Sequence, residues 1–223
     1  MSENEIQTPQ GSRWMRPLSL LVLHLLSNYN LIGEENIPAP PYILTANHSS
    51  HFDGLVGGSL SHPDIPAFAA KKYQGTFVGF LIQTFAAPIW IEQASPDRHA
   101  LKIALHTLKE GKPIAIAPEG HRSRDGKLRE AYEGAAYLIS KARVPILPVG
   151  IVNTHLILKK IRPRVEVRIG RPYRLPETTR ATKEQLQEFT DRVMCALAAL
   201  LPEEQHGVYA GHPYISEMAA LVR

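Results

Sequence analysis

Short, nearly continuous apolar runs recur along the chain, and each has the length of a buried strand rather than of a helix. Because both faces of such strands must be covered, the runs predict a sheet enclosed by helices, and most of the intervening stretches are long enough to supply them. We therefore expect a single α/β domain with a mostly parallel or mixed sheet covered by helices. The predicted strands occupy residues 42–46, 65–69, 87–91, 113–117, 144–151 and 165–169.

Two of the predicted helices carry clear start and stop signals. Ser95-Pro96-Asp97 supplies a cap, a first-turn proline and an early acid, and Gly111 ends the apolar stripe that follows. Near the other end of the chain, Thr182 and Gln185 have the spacing of a capping box, ahead of a second apolar stripe that stops before Pro202. Both helices are predicted to pack against the core.

The N-terminal part divides into a polar stretch and an apolar one. Residues 1–12 are polar and predicted to be disordered, whereas residues 13–34 predict an amphipathic helical segment. Its apolar run is shorter than the ~20 residues that span a bilayer, and no small-residue cleavage site follows, so neither a spanning segment nor a secretory signal is expected. Trp14, flanked by Arg13 and Arg16, is typical of a helix that lies on a membrane, although a core-covering helix has much the same pattern.

Length and cysteine content agree with this organisation. The 223 residues suit one domain of this class, to which we assign residues 35–201, followed by a C-terminal tail over residues 202–223. The single cysteine, Cys195, lies in a helical pattern, so the chain has no disulfide framework. This favours a reducing compartment and argues against a catalytic thiol.

Candidate chemistry is concentrated just after the first predicted strand. There the stretch Asn47-His48-Ser49-Ser50-His51-Phe52-Asp53 places a histidine five positions before an aspartate. An imidazole that titrates near pH ~6.5 can take a proton from a hydroxyl, and a carboxylate on its other nitrogen sets the tautomer and stabilises the imidazolium. The pair predicts a general base, His48, oriented by Asp53, with a capped helix start as the alternative interpretation.

A second polar block follows the predicted strand at residues 113–117. It reads Pro118-Glu119-Gly120-His121-Arg122-Ser123-Arg124. Gly120 can adopt backbone angles that other residues avoid and lets a substrate approach the main chain, while the guanidinium of Arg122 suits a phosphate. The alternative, a solvated charged loop, fits Arg124 better than Glu119 and Arg122, because these two lie directly at the strand end.

In this order, the two blocks resemble the glycerolipid acyltransferase family, which includes the 1-acylglycerol-3-phosphate acyltransferases. The family's first motif is His, four residues, Asp, and its third is Pro-Glu-Gly-Thr-Arg-Ser, here with His121 in place of threonine. A second family block is similar to the stretch from Ala70-Lys71-Lys72 to Gln93, where Gln93 replaces an arginine. A fourth is similar to residues 144–151, so the resemblance covers about half of the chain.

The resemblance implies an O-acyltransferase that moves a fatty acyl group from acyl-CoA or acyl carrier protein to the hydroxyl of a lysophospholipid or related glycerol-phosphate-type acceptor. His48 would be the base and Asp53 its orienting partner. The acyl donor would be a substrate, with no resident cofactor and no metal. The residues expected to bind substrate are Glu119, Gly120, Arg122, Lys71 and Lys72.

Two departures from the family pattern keep other functions open. Gln93 removes a charge-assisted contact, and His121 changes size and hydrogen bonding beside the expected phosphate site. Acyl transfer to a lipid acceptor without a phosphate, or a catalytically weakened lipid-binding module, therefore remain alternatives.

Two hydrolase classes fit the residues less well. A metal-dependent hydrolase could use His48, His51 and Asp53 as ligands, but the histidines lack the i, i+4 spacing of a helical zinc pair and no second ligand cluster is evident. A serine hydrolase would require a Gly-x-Ser-x-Gly turn between a strand and a helix. The candidate nucleophiles Ser49, Ser50 and Ser123 do not lie in such a motif.

The formal net charge of the chain is +4, and several of its cations crowd one basic segment whose only acid is Glu166. Its partner could be anionic lipid, the phosphates of coenzyme A or the acidic surface of acyl carrier protein, or the segment could simply be solvated. Nucleic acid is disfavoured because no recognised binding motif accompanies the charge. We expect peripheral association with an anionic membrane, on its inner, cytoplasmic face. The cations are Lys159, Lys160, Arg162, Arg164, Arg168, Arg171 and Arg174.

Overall fold

Seven strands form one mixed sheet in the computed structural model of this chain, which describes residues 15–60, 65–85, 88–92, 97–178 and 181–223. In chain order they are β1 (Asn28–Ile32), β2 (Ile43–Ala46), β3 (Ala67–Ala70), β4 (Pro88–Ile91), β5 (Ile114–Ile116), β6 (Ile146–Val152) and β7 (Arg164–Ile169). Their order across the sheet is β1-β7-β6-β2-β5-β3-β4. Only β6 and β7 pair antiparallel, and the other neighbours are parallel. The predicted α/β class is confirmed.

Seven helices accompany the sheet in the described residues: α1 (Met15–Leu26), α2 (Asp53–Ser59), α3 (Phe77–Phe85), α4 (Arg98–Lys109), α5 (Glu133–Ala142), α6 (Lys183–Leu200) and α7 (Tyr214–Val222). Helices α4, α5 and α6 pack on one face of the sheet, with α7 over α6, and α1 and α2 pack on the other. Alternate strand residues serve the two sides: Ile43 joins the core under α4 to α6, and Leu44 the core under α1 and α2. None of the described helices combines the length and apolarity needed to cross a bilayer.

The predicted strands agree closely with the structure, whereas one of the two predicted helix starts is displaced. All six predicted strands occur, as β2 to β7, with ends displaced by two residues or fewer. Helix α4 begins at Arg98, so Asp97, which was predicted as an early acid within the helix, is instead its cap and accepts hydrogen bonds from the amides of His99 and Ala100. Ser95, which was predicted as the cap, and Pro96 lie outside the described residues. Both bonds of the predicted capping box are present at the start of α6.

The helical segment predicted over residues 13–34 is wrong beyond Leu26. Helix α1 ends there, and β1 follows as an edge strand that pairs with β7. The stretch Asn28-Tyr29-Asn30-Leu31 alternates polar and apolar residues, which is the period of a strand, and Tyr29 is buried with its hydroxyl 2.7 Å from Ser59 Oγ. The predicted disorder of residues 1–12 lies outside the described residues, as do Arg13 and Trp14.

The prediction of a C-terminal tail is also wrong. Residues 202–223 contain α7, which packs on α6, and Arg223 Nε donates to the carbonyl oxygen of Ala199 at 2.7 Å. The physical reason lies in α6, whose residues from Val193 to Leu200 are all buried. A helix that is apolar on every side needs a cover on the side away from the sheet, and α7 supplies it.

The topology brings three loops together at one edge of the sheet. Strands β5 and β6 flank β2 and run parallel to it, so the chain leaves all three strands at the same edge. Carboxyl ends of parallel strands are where binding sites form in open α/β sheets. The two polar blocks singled out in the sequence follow β2 and β5, and are therefore neighbours.

Candidate active site

His48 and Asp53 face each other across the turn between β2 and α2. His48 Nδ1 lies 2.7 Å from Asp53 Oδ2, and their side chains are 34% and 6% exposed, respectively. The imidazole that donates its Nδ1 proton to this carboxylate keeps a lone pair on Nε2, which has no hydrogen-bond partner among the described residues. This arrangement can accept a proton from a bound hydroxyl.

The Asp53 carboxylate is held by three donors besides His48. Its Oδ2 accepts from the amides of Ser49 at 2.8 Å and Ser50 at 2.9 Å, and its Oδ1 accepts from the hydroxyl of Thr154 at 2.5 Å. Asp53 does not act as a helix cap, because the amides that donate to its carboxylate precede α2. The cap residue of α2 is Phe52, and its side chain makes no capping hydrogen bond. The network therefore fixes the carboxylate that orients the imidazole.

Glu119 ties the second polar block to the first. Its Oε1 accepts from the amide of His48 and its Oε2 from the amide of Arg129, both at 2.9 Å. The amide of Ser123 in turn donates to the carbonyl oxygen of His48 at 2.8 Å. Burial raises the pKa of Glu119 to about 7, although the two amide hydrogen bonds work in the opposite direction. Glu119 thus shapes the site by holding the main chain behind His48.

The residues beside Glu119 have local partners of their own. Gly120 has a φ of +63°, and a Cβ there would lie 2.8 Å from two ring carbons of Tyr132, so both the backbone angle and the packing require glycine. His121 Nε2 lies 3.1 Å from the Tyr132 hydroxyl. The histidine that departs from the family motif is therefore paired with the residue that precedes α5.

Arg122 adds a positive charge to this cluster, and no described acidic residue pairs with it. Its half-buried side chain forms no hydrogen bond or ion pair with any described residue. The pKa of His51 is lowered first by burial and then by the charges of Arg122 and His48, and Asp53 opposes them. An uncommitted guanidinium near the imidazoles is available to bind an anion.

Lys71 and Lys72 follow β3, at the same edge of the sheet but on the far side of β5 from His48. Lys71 Nζ lies 3.5 Å from Glu92 Oε1 and 3.8 Å from Asp97 Oδ2. Lys72 Nζ lies 5.3 Å from the centre of the Tyr73 ring. Neither lysine forms a hydrogen bond or ion pair with His48, Asp53 or Arg122, and Gln93 lies outside the described residues.

Two residues of the network were given no role in the sequence prediction. Thr154, in the turn after β6, binds Asp53, and its hydroxyl also lies 2.9 Å from Ser49 Oγ. Asn47 exchanges two side-chain hydrogen bonds with the main chain of Ile151, at 2.7 and 2.8 Å, which joins the end of β2 to β6. The available signal was position, since polar residues directly after a buried strand parallel to β2 face the same site.

The described residues do not form the sites that a metal-dependent hydrolase, a serine hydrolase or a catalytic thiol would require. Among them, no group of three or more His, Cys, Asp or Glu side chains could hold a metal ion. The hydroxyls of Ser49 and Ser123 bind Thr154 and Asp125 rather than a histidine. Cys195 is buried with its Sγ 3.3 Å from His212 Nδ1, and burial raises its pKa to about 12, so its thiol is protonated at neutral pH.

Comparison with known proteins gives one consistent family. A family model described as Acyltransferase matches residues 28–152, which include both polar blocks. The 1-acyl-sn-glycerol-3-phosphate acyltransferase of Saccharomyces cerevisiae is 27% identical over 196 residues, covering 82% of this chain and 63% of the yeast protein. The Bacillus subtilis protein of the same name is 28% identical over 133 residues, covering 57% of this chain and 64% of its own length. The chain thus spans less than two thirds of these relatives.

A solved structure shares the fold. The crystal structure of the 1-acyl-sn-glycerophosphate (LPA) acyltransferase PlsC from Thermotoga maritima aligns with a TM-score of 0.63 at 24% identity. The alignment covers 80% of this chain and 74% of that one.

Proposed function

The chain belongs to the acyltransferase family, and on that premise we propose that it transfers a fatty acyl group from a thioester to the hydroxyl of a glycerol-phosphate-type lipid. The observation that carries the proposal is the 2.7 Å contact between His48 Nδ1 and Asp53 Oδ2. Relatives named 1-acyl-sn-glycerol-3-phosphate acyltransferase support this class of acceptor.

In the proposed reaction, His48 Nε2 removes the proton of the acceptor hydroxyl as its oxygen attacks the thioester carbon. The new C–O bond forms, the tetrahedral oxyanion collapses and the C–S bond breaks. The imidazolium then returns the proton to the departing sulfur, so the enzyme ends as it began. The carboxylate of Asp53 stabilises the imidazolium between these two steps.

Arg122 is the residue that we assign to the acceptor's phosphate. Its guanidinium is uncommitted in the described part of the chain, and a planar fork of donors suits a phosphate better than a single ammonium does. Glu119 and Gly120 shape the turn that carries Arg122, and Lys71 and Lys72 are further candidates from the neighbouring strand.

A lipid acceptor without a phosphate is the second candidate. The observation that favours it is the position of Lys71, whose charge is offset by Glu92 and Asp97. Because Lys71 is paired in this way, Arg122 has less additional positive charge beside it for binding a phosphate that can carry two negative charges.

The acyl donor is proposed to be acyl-CoA or acyl carrier protein, with no resident cofactor. We further propose that the chain associates peripherally with an anionic membrane on the cytoplasmic side, where the acceptor lipid resides. The cytoplasmic leaflet carries a negative surface potential, which attracts the basic segment that begins in the loop between β6 and β7.

An acceptor panel tests the proposal. The release of free thiol from an acyl-CoA, and of carrier-protein thiol from an acyl carrier protein, is measured with a lysophosphatidate, a lysophospholipid and a monoacylglycerol. Acceptor-dependent thiol release is expected, fastest with a phosphate-bearing acceptor, and Arg122→Gln should slow that acceptor selectively. Equal rates with and without the phosphate would favour the second candidate. No acceptor-dependent release with either donor would contradict acyl transfer.

A further inference from the structure

The tip of the loop between β6 and β7 exposes two large apolar side chains. Ile161 is 99% exposed and Leu158 is 78% exposed. Isolated apolar residues on a surface are ordinary, but two almost fully exposed ones within four positions form a local feature. No described residue of the protein covers them.

The same tip carries cations and no acid. Lys159 and Lys160 lie between the two apolar residues, and their side chains form no ion pair with any described residue. Farther along the basic segment, by contrast, Glu166 forms ion pairs with both Arg164 and Arg168. Three cations without an ion pair among the described residues, Lys159, Lys160 and Arg162, therefore lie together at the apolar tip, apart from Arg171 and Arg174 beyond the other end of β7.

The conformation of the tip is specific. Leu158 and Arg162 both have positive φ, at 68° and 44°, in a region that residues with a side chain seldom occupy. The amides of Lys159 and Lys160 donate to the carbonyl oxygen of Leu156, at 2.9 and 3.0 Å, and close the turn. Unfavourable backbone angles that persist in a hydrogen-bonded turn are typical of functional segments.

The tip adjoins an exposed apolar stripe on α1. Arg162 Nη2 donates at 3.0 Å to the carbonyl oxygen of His24, in the last turn of α1, and the amide of Asn28 donates at 2.9 Å to Pro163. The outward apolar residues of α1 lie one helical turn or two apart, on one side of the helix. They are Leu18, Leu21 and Leu25.

We propose that residues 158–162 and the outer stripe of α1 form one docking surface for an anionic lipid bilayer. Leu158 and Ile161 enter the boundary between headgroups and acyl chains, while Lys159 and Lys160 contact lipid phosphates. An acidic protein would attract the lysines equally, but a fully exposed isoleucine at a tip is better matched by the interior of a membrane.

This inference rests on the proposed function for its consequence. The loop leaves the sheet directly after Thr154, whose hydroxyl holds the Asp53 carboxylate, so it departs from the edge that carries the site. Docking through the loop turns that edge of the protein toward the bilayer. A lipid acceptor can then approach His48 without passing through water.

Co-sedimentation with vesicles tests the surface directly. The full chain is mixed with vesicles of phosphatidylcholine alone or with phosphatidylglycerol, and Leu158→Ser/Ile161→Ser is compared with the wild type. The double variant should bind anionic vesicles at least ~10-fold more weakly, since both apolar side chains lose their burial in the membrane. The matched control is Val208→Ser, because Val208 is 60% exposed outside the proposed surface and should bind like the wild type.

The lysines are tested separately. Lys159→Gln/Lys160→Gln should lose most of the preference for anionic over neutral vesicles, by roughly fivefold per lysine. Circular dichroism checks that each variant is folded. Unchanged binding by the folded Leu158→Ser/Ile161→Ser variant, failure of the wild type to bind vesicles, or an equal loss in Val208→Ser would overturn the docking surface.

Acyl transfer supplies an independent readout. With a short-chain acceptor dissolved as a monomer, the loop variants should match the wild type, whereas with acceptor presented in vesicles they should be slower. Equal slowing with both acceptors would contradict the docking role. Complete absence of transfer in the wild type, with the expected vesicle binding, would contradict the enzyme assignment and leave the docking surface supported.

Discussion

The Asp53 carboxylate receives hydrogen bonds from two separate places in the sequence. His48 and the serine amides come from the turn before α2, but the Thr154 hydroxyl comes from the turn after β6. A carboxylate bound by donors on both oxygens cannot rotate away from the imidazole. Thr154 is therefore expected to act through Asp53, as a positioning residue for His48.

Replacing Thr154 tests this role. Thr154→Val keeps the shape of the side chain and removes the hydroxyl, which makes a hydrogen bond to a charged group worth about 1.5–3 kcal/mol. We expect kcat to fall ~10- to 100-fold with little change in KM, since the change affects the base rather than substrate binding. Thr154→Ser should restore most of the rate. A parallel rise in KM, or no rescue by serine, would indicate a merely structural residue.

Glu119 predicts a pH dependence of stability. Its pKa is raised from 4.5 in the unfolded chain to about 7 in the folded one, mainly by burial. The folded state therefore binds a proton that the unfolded state has released, and this stabilisation is full below pH ~4.5 and lost as the pH rises through 7. The loss amounts to about 3 kcal/mol.

Urea unfolding of Glu119→Gln between pH 5 and pH 8 checks this sign. Glutamine does not ionise, so the free energy of unfolding of the variant should gain on that of the wild type as the pH rises. A difference between the two proteins that stays constant over this range would contradict the raised pKa.

At this scale the sequence predicted what is local. His48 and Asp53 are five positions apart, so a single turn can join them, and their spacing was informative. Thr154 lies 101 positions after Asp53, and nothing in its neighbourhood indicates that β6 will lie beside β2. Similarly, the position of Glu119 was predicted, but its bond to the amide of Arg129 depends on the path of a loop.

Among the elements, α6 depends most on its neighbours. Its C-terminal half is buried on all sides between the sheet, α5 and α7. The sequence predicted only a buried stripe, because a helical pattern does not identify what covers its other side. The short α7 follows several turns and a proline, which made residues 202–223 resemble a tail.

Two residues of α7 form a matched pair for testing this cover. Met218 is 1% exposed and Leu221 is 48% exposed on the same helix. Met218→Ala should lower the free energy of unfolding by about 2–5 kcal/mol, because it leaves a cavity against α6. Leu221→Ala should lower it by less than about 1 kcal/mol. Chemical denaturation measures both, and equal effects would argue that α7 does not cover α6.

Edge elements were the hardest to predict. The strand β1 is five residues long, contains two asparagines and follows α1 with almost no break, so the sequence pattern predicts a continued helix there. Its pairing with β7, a strand 132 or more positions later in the chain, is what gives it structure. Strands β2, β5 and β6 were easier because both of their faces are apolar.

For the whole molecule, the order of the strands creates the site. Placing β2 between β5 and β6 gathers the turns that carry His48, Glu119 and Thr154 at one edge. Hydrophobic patterning predicted which segments are strands, but strand order depends on which crossovers pack best, and that is a property of the complete chain. The fold shared with the Thermotoga maritima acyltransferase is consistent with this arrangement.

The fold also changes how the positive charge of the basic segment is distributed over the molecule. The predicted basic segment is one cluster in the sequence, but the fold divides it among different partners. Glu166 neutralises part of it, and Arg162 and Arg174 donate to main-chain carbonyl oxygens. Lys159 and Lys160 at the loop tip, and Arg171 beyond β7, form no ion pair with any described residue, so the unpaired charge lies on both sides of β7 rather than along one uniform basic face.

The central claim is that His48, oriented by Asp53, removes the proton of the acceptor hydroxyl. The most direct measurement is the rate of thiol release from an acyl-CoA, with a lysophosphatidate acceptor, by wild type and His48→Ala at equal concentration and with matching circular dichroism spectra. The account predicts that the folded variant loses ~10²- to 10⁴-fold in kcat. A folded His48→Ala protein that retains a rate near that of the wild type would contradict it.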